Sequence, residues 1–105
     1  FEVLNIEENI DNVIYNVSKK SFGGNLELKI TFVHDVIEEI TIVNQNDSYM
    51  GLVIDADFIN TLIRNQQNLD NVDTVSGATI SSTAIKDAVI KTIEAYNTNK
   101  QEVTE

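Results

Sequence analysis

Hydrophobic and polar residues alternate through much of the first half of the chain, which is the pattern of β-strands with one buried face. The alternation covers residues 13–18, 26–32 and 39–43. Residues 21–25 contain two glycines and predict a turn, and His34-Asp35 predicts the tip of a hairpin. Because connections this short join antiparallel strands, we expect an antiparallel sheet.

Apolar residues in the second half recur at steps of three and four, which is the period of amphipathic helices. This period predicts one helix over residues 58–63, with Asp55 or Asp57 placed to cap its first turn, and a longer helix over residues 80–96. A short apolar stretch over residues 72–75 predicts one further strand. Strands that precede segregated helices indicate an α+β fold, here a small antiparallel sheet with helices packed to one side.

The 105 residues predict one domain, since two domains would each be too small for a hydrophobic core. We place this domain at residues 12–96. Residues 1–11 predict a lead-in segment, either a short helix or an extended stretch. Residues 97–105 are polar without a period and predict a flexible tail. Because the chain begins at Phe1 and its single methionine is Met50, we expect a mature or shortened product whose export signal or anchor lies outside this sequence.

Composition excludes several classes of function. The chain has no cysteine and one histidine, His34, so disulfides, thiolate metal sites, thiol nucleophiles and multi-histidine metal sites are excluded. A net charge of -10 would repel the phosphate backbone of nucleic acids. No apolar run approaches the roughly 20 residues of a membrane-spanning helix.

Three residues outside the later motif could suggest a site. His34 lies at a predicted turn, so we do not predict that it is catalytic. Asp55 and Asp57 lack the glycine and distal glutamate of a calcium loop, so we do not predict a metal site there.

Residues 73–83 carry the richest candidate chemistry, because they combine several hydroxyl side chains with Gly77 and Ala78 directly before the longer predicted helix. A helix start presents free N–H groups and partial positive charge, which can hold a phosphate or another anion. The same residues permit a purely structural interpretation, in which one of the three hydroxyls at 81–83 caps the helix and Gly77 shapes the turn. Local chemistry leaves both interpretations open.

The sequence Asp-Thr-Val-Ser-Gly-Ala-Thr at residues 73–79, continued by Ile-Ser-Ser-Thr-Ala-Ile, resembles the signature of a family of FMN-binding domains. This family occurs in the flavin subunits of the Rnf and Na⁺-translocating NADH:quinone reductase complexes and in exported flavoproteins of extracellular electron transfer. The resemblance implies that FMN is attached covalently, through a phosphoester, to Thr79. It implies that the rest of the flavinylation motif consists of Asp73, Ser76, Gly77 and Ala78. We add Ser81, a hydroxyl at the predicted helix start, as a further cofactor-binding candidate.

The resemblance extends over roughly residues 12–96, since the Gly-Gly pair before the strand at 26–32 matches the opening of the family. One loop departs from it. Many members have Glu-Thr-Pro-Gly-Leu-Gly where this chain has the shorter Asp47-Ser48-Tyr49-Met50-Gly51. The aromatic residues that could contact the flavin ring are Tyr15, Phe22, Tyr49 and Phe58. We choose Tyr49, which lies in a polar loop, whereas Phe58 has the helical spacing of a core residue. The departure favours a divergent surface electron carrier over a subunit of the Rnf or quinone-reductase complexes.

The resemblance implies an electron-transfer domain of an electron-transport system rather than a self-standing enzyme. Its maturation would need an FMN transferase that uses FAD as donor together with Mg²⁺, and its partners would be redox proteins or a quinone-linked complex. Domains of this kind usually work outside the cytoplasm, anchored to a membrane or at the cell surface. One alternative stays open, a non-redox surface binding module with the same fold. Hydrolysis at a Ser–His–Asp site built on His34 is disfavoured, because the predicted hairpin and loop separate His34 from the motif serines.

Overall fold

The computed structural model describes the backbone of residues 1–103 and the side chains of residues 1–100. Within this range four strands form one antiparallel sheet, and they are adjacent in the order in which they occur along the chain. The strands are β1 (Glu2–Glu8), β2 (Val13–Ser21), β3 (Gly24–Val33) and β4 (Val36–Asn44). The helices are α1 (Met50–Asp55), α2 (Phe58–Arg64) and α3 (Thr79–Val103), with a 3-10 turn at Leu69–Asn71 between α2 and α3.

Short turns set the register of the two hairpins that β3 forms with its neighbours. β2 and β3 pair without interruption from Val13 to Ser21. The turn between β3 and β4 uses His34 and Asp35 at φ angles of 52° and 69°, which are the left-handed values that a two-residue hairpin turn requires. The predicted hairpin tip is therefore confirmed, and His34 is exposed there.

One face of the sheet and the apolar faces of the helices enclose the core. Leu28 and Ile30 of β3 and Ile85 and Val89 of α3 are each at most 1% exposed. Lys29 lies between the two β3 residues, points to the other face and is exposed, which is the alternation that the sequence predicts. Burying one such aliphatic side chain stabilises the fold by about 1.5–3 kcal/mol. The predicted α+β fold, a small antiparallel sheet with its helices on one side, is confirmed.

Residues 1–11 contribute a strand to the sheet. β1 pairs antiparallel with β2, with Val3 opposite Val17 and Ile6 opposite Tyr15. Of the two forms predicted for this segment, the extended one is therefore observed, and β1 is an edge strand.

The chain after the core residues of α3 is also helical. The predicted tail at 97–105 continues α3 as far as Val103, and residues 104–105 lie outside the described residues. Asn99 Nδ2 donates a hydrogen bond to the Tyr15 hydroxyl at 2.7 Å, which attaches this part of the helix to β2. Polar contacts of this kind leave no apolar period, so the sequence pattern does not reveal them. Within residues 1–103 no helix combines the length and the apolar character needed to cross a membrane.

Two elements differ from the sequence prediction. α1 forms where the sequence predicts no element. Its six residues are too few to show a helical period, since Met50 and Val53 are buried while Leu52 remains half exposed. The strand predicted over residues 72–75 is wrong. The N–H of Val72 donates to the Leu69 carbonyl at 3.0 Å and closes the preceding 3-10 turn. Residues 73–75 then have no regular structure, and they pair with no strand among the described residues.

Asp57 is the N-cap residue of α2, one of the two predicted positions. Its carboxylate accepts a hydrogen bond from Asn60 Nδ2 at 2.7 Å, and among the described residues it makes none with the helix backbone. Asp55 instead ends α1. The predicted capping contact is therefore wrong, because Asp57 adopts a left-handed φ of 56°, whereas an N-cap residue that bonds through its side chain has an extended backbone.

Candidate functional site

A tight turn joins the motif loop, residues 73–78, to α3. Gly77 has a φ of 84°, which lies in the left-handed region that residues with a side chain rarely adopt. The Ala78 N–H donates to the Val75 carbonyl at 3.0 Å and closes the turn. α3 then begins at Thr79, which is exposed. The chain thus presents a threonine hydroxyl on the first residue of its longest described helix.

Ser82 holds the motif loop against α3. Its Oγ accepts a hydrogen bond from the Val75 N–H at 2.9 Å and donates one to the Ala78 carbonyl at 2.8 Å. Because α3 begins at Thr79, the hydroxyls at 81–83 lie inside the helix and none of them is its N-cap residue. The predicted capping role is therefore wrong, and the buried Ser82 instead fixes the shape of the loop.

The predicted cofactor residues divide into exposed and buried groups. Ala78 and Ser81 are buried, at 3% and 1% exposure. The exposed residues are Asp73, Ser76, Gly77, Thr79 and Tyr49. Thr79 is therefore exposed to solvent, whereas Ser81 is not.

A buried carboxylate lies at the centre of the Asp47 junction, which we define as Asp47, Ser21, Tyr49 and Ser81. Asp47 is 6% exposed and Oδ2 accepts hydrogen bonds from the Ser21 hydroxyl, at 2.9 Å, and from the Ser81 hydroxyl. Its Oδ1 accepts the Tyr49 N–H at 2.9 Å. The junction therefore ties the end of β2 and the start of α1 to the first turn of α3.

Two opposing effects act on the acidity of Asp47. Burial raises the pKa of this carboxyl, because an apolar environment disfavours the charged form. Hydrogen bonds from Ser81, from the Tyr49 N–H and from Ser21 favour the carboxylate, and together they outweigh burial, so the pKa lies below its ordinary value. Asp47 is therefore a charged residue at neutral pH, and it occupies the loop that departs from the family pattern.

An exposed aromatic pair extends from the same junction. Phe22 follows Ser21 and is 56% exposed, and Tyr49 is 42% exposed. Their rings meet edge to face with centroids 5.1 Å apart. By contrast, Tyr15 and Phe58 are buried in the core, as the spacing of Phe58 predicts. Phe22 and Tyr49 are therefore exposed aromatic side chains that a planar ligand can contact.

A cavity of about 340 Å³ opens beside Thr79. Its walls come from the end of β2 and from the first turns of α3. The lining residues are Lys19, Lys20, Thr79, Ile80, Thr83, Ala84 and Asp87. No sequence motif marks the two lysines, which lie some sixty positions before Thr79. The signal that could have found them is a pair of adjacent cations at a strand end in a strongly acidic chain.

A second cavity, of about 590 Å³, lies along the other part of the motif loop. Residues 73–76 border it, and so does the core residue Phe58. Three amide side chains complete its polar wall, namely Asn65, Asn68 and Asn71. The larger cavity therefore borders the motif loop, whereas the smaller one borders Thr79 and the first turns of α3.

His34 lies far from these hydroxyls. Its neighbour Asp35 accepts hydrogen bonds from the Tyr96 hydroxyl at 2.6 Å and from Lys100 Nζ at 2.7 Å, in the last part of α3. Thr79 and Tyr96 are roughly 25 Å apart along the helix, at 1.5 Å per residue. The structure therefore does not assemble a Ser–His–Asp site from His34 and the motif serines.

Comparison with known protein families agrees with this geometry. A family described as the FMN-binding domain matches residues 21–94, a range that holds the Asp47 junction and the whole motif. No curated protein and no solved structure matches the chain significantly. Because the family match covers more than half of the sequence and includes residues 73–79, the chain belongs to the FMN-binding domain family.

Proposed function

We propose that this flavin-binding electron-transfer module carries its FMN covalently, through a phosphoester bond to the hydroxyl of Thr79. The observation that carries the proposal is the exposure of Thr79 at the start of α3, within the flavinylation motif and beside a cavity. The neighbouring hydroxyls of Ser81 and Ser82 are buried and hydrogen bonded, to Asp47 and to the motif loop. An external transferase can therefore reach Thr79 and not these serines.

The residues at this site fit FMN in size and in chemistry. The cavity of about 340 Å³ lies at the lower end of the range that is typical of small-molecule sites. Its partly apolar walls can cover part of the cofactor. Phe22 and Tyr49 offer aromatic faces and edges for an isoalloxazine ring.

Attachment would form one bond and break one. Thr79 Oγ1 would bond to the phosphorus on the FMN side of FAD, and the bond from that phosphorus to the bridging oxygen of the pyrophosphate would break. AMP would leave, and the hydroxyl proton would pass to a base of the transferase or to water. No oxidant or reductant is consumed, and the transferase would supply the Mg²⁺. The role of the domain is to present the hydroxyl in an accessible position.

After attachment, FMN would supply reversible electron transfer, and the chain would supply its position and surroundings. Ser82 and the Asp47 junction hold the attachment residue and the aromatic pair on one framework of hydrogen bonds. We expect Tyr49 to contact the ring from this framework. The exposed position of Thr79 suits a carrier, because a redox partner has to approach the cofactor closely.

Co-expression with an FMN transferase tests the proposal. Wild-type protein should become yellow, and its mass should rise by that of FMN less one water. Thr79→Ala should remain colourless, and Thr79→Ser should still be labelled because it keeps the hydroxyl. The matched control is Thr98→Ala, which removes an exposed threonine from the same helix and should be labelled like the wild type. An adduct on Thr79→Ala, or an unlabelled wild type beside a labelled reference acceptor, would overturn the covalent assignment.

The wider setting of the module is also a proposal. We propose that it works outside the cytoplasm, anchored to a membrane or at the cell surface, and exchanges electrons with redox proteins or a quinone-linked complex. The family resemblance supports this setting, and the strong negative charge suits partners with basic surfaces. Protease accessibility of the protein on intact cells of its host tests the location, and a protected protein would contradict it.

A further inference from the structure

An exposed hydroxyl lies one helical turn beyond the proposed attachment residue. Thr83 is exposed, and it lines the same cavity of about 340 Å³ as Thr79. Residues four positions apart lie on the same face of a helix, with their Cβ atoms about 5–6 Å from each other. Side chains in a helix lean toward its N-terminus, so the side chain of Thr83 leans toward the turn that carries Thr79. The cavity therefore joins the attachment residue to a second hydroxyl.

The fold does not use the hydroxyl of Thr83. Other hydroxyls inside the helices donate to the carbonyl four residues before them, as those of Thr61, Ser82 and Thr92 do. Within residues 1–100 the Thr83 hydroxyl makes no such bond and has no other hydrogen-bond partner. It is therefore available to donate a hydrogen bond to a ligand in the cavity.

The next polar side chain on this face of α3 is already paired. Asp87 lies one turn beyond Thr83 and lines the cavity, and its Oδ2 lies 2.7 Å from Lys19 Nζ. Between these positions Ile80 and Ala84 add apolar surface to the wall. Thr83 therefore provides the hydroxyl on this face that a group attached one turn earlier can use.

A phosphoester at Thr79 would bring acceptor oxygens toward this hydroxyl. The phosphorus would be one bond from Thr79 Oγ1, and its two non-bridging oxygens would share one negative charge. These oxygens would extend into the gap of about 5–6 Å between the Cβ atoms of the two threonines. Hydrogen bonds to a charged acceptor are about twice as strong as those between neutral groups. The Thr83 hydroxyl therefore has a strong acceptor within reach once the phosphoester is formed.

We infer that Thr83 is a phosphate-binding residue of this domain. Its hydroxyl donates a hydrogen bond to a non-bridging oxygen of the phosphate attached at Thr79, and this contact holds the phosphate against the first turns of α3. The inference rests on the proposed function, because it needs the phosphoester. It assigns a ligand contact to a residue beyond the flavinylation motif.

The test compares Thr83→Val and Thr83→Ser with the wild type. Valine keeps the shape of the threonine side chain and removes its hydroxyl, whereas serine keeps the hydroxyl. The matched control is Thr98→Val, which makes the same substitution at an exposed threonine of the same helix. Each protein is prepared with the FMN transferase and without it. The measurements are the ³¹P resonance of the phosphoester and the equilibrium between folded and unfolded protein in urea.

The ³¹P resonance should move in Thr83→Val and stay close to its wild-type position in Thr83→Ser and Thr98→Val. Thr83→Val should lower the ratio of folded to unfolded protein about two- to tenfold more in the labelled form than in the unlabelled form, which is the effect of one hydrogen bond. Thr98→Val should affect both forms equally.

Two outcomes would count against different claims. If the resonance of Thr83→Val coincides with that of the wild type, and its labelled and unlabelled forms lose stability equally, Thr83 does not bind the phosphate, while the covalent carrier still stands. If the wild type is not labelled at all, the proposed function itself fails.

Discussion

Removal of the Asp47 carboxylate should destabilise the domain more than removal of other acidic side chains. Asp47→Ala takes away the shared acceptor of Ser21, Ser81 and the Tyr49 N–H. Ser81 is 1% exposed, so water cannot replace the lost acceptor there, and each buried donor left without a partner costs about 1–3 kcal/mol. Ser21 is only half buried and can bind water instead. We therefore expect a loss of about 2–4 kcal/mol in the free energy of unfolding.

Asp47→Asn measures how much of this stability depends on the negative charge, because it removes the charge and keeps the shape of the side chain. The amide keeps the size of the side chain and one acceptor oxygen, so the loss should be about half as large. The control is Asp55→Asn, which neutralises an exposed acidic residue at the end of α1 and should change the free energy of unfolding by less than about 0.5 kcal/mol. Urea unfolding followed by circular dichroism at 222 nm, with the m value compared across variants, measures all three.

The pH dependence of stability gives a second measurement of the contribution of Asp47. Because the pKa of Asp47 is lower in the folded protein, its contribution is fully present above the ordinary carboxyl pKa of 3.8 and is lost as the pH falls through the folded value. Asp47→Asn should therefore lose less stability on acidification than the wild type. If Asp47→Ala unfolds at the urea concentration of the wild type with an unchanged m value, the junction does not hold these segments together.

Two further predictions concern the turn after β2 and the far end of α3. A Cβ at Gly23 would lie 1.8 Å from the Asn46 carbonyl oxygen, so Gly23→Ala should cost about 3 kcal/mol in urea unfolding. Gly51→Ala, where a Cβ meets open space, should leave stability unchanged or raise it by about 0.5–1 kcal/mol, and equal losses in both variants would contradict this reasoning. Burial, and then the hydrogen bond to Asp35, raises the pKa of Tyr96 to about 12. Its contribution is therefore present below pH 10 and lost toward pH 12, so Tyr96→Phe should show a flatter alkaline decline in the urea midpoint.

The strands and the position of the site could be predicted because their signals are local. Leu28 and Ile30 alternate with charged residues, and this alternation directly reports which face is buried. The turn at His34-Asp35 is marked by the change from one strand pattern to the next. The motif at residues 73–79 carries its family signature in consecutive residues. None of these inferences required knowledge of which distant residues meet.

The missed features depend on contacts between distant residues or on atypical use of a residue type. Asp47 lies in a polar loop, where carboxylates are usually solvated, and its burial follows only from the meeting of β2 with α3. Lys19 comes beside Asp87 of α3 through the same meeting. The extension of α3 past Tyr96 depends on Asn99 contacting Tyr15, a polar contact across the chain. Periodicity in one sequence carries no signal for such pairs.

Within the described chain, the sheet order makes β1 and β4 its two edge strands. An edge strand offers main-chain donors and acceptors with which a strand of another molecule could pair, which would continue the sheet. Both edge strands carry exposed glutamates, Glu7 and Glu8 on β1 and Glu38 and Glu39 on β4. Two copies that approach each other edge to edge therefore bring like charges together before their backbones can form hydrogen bonds.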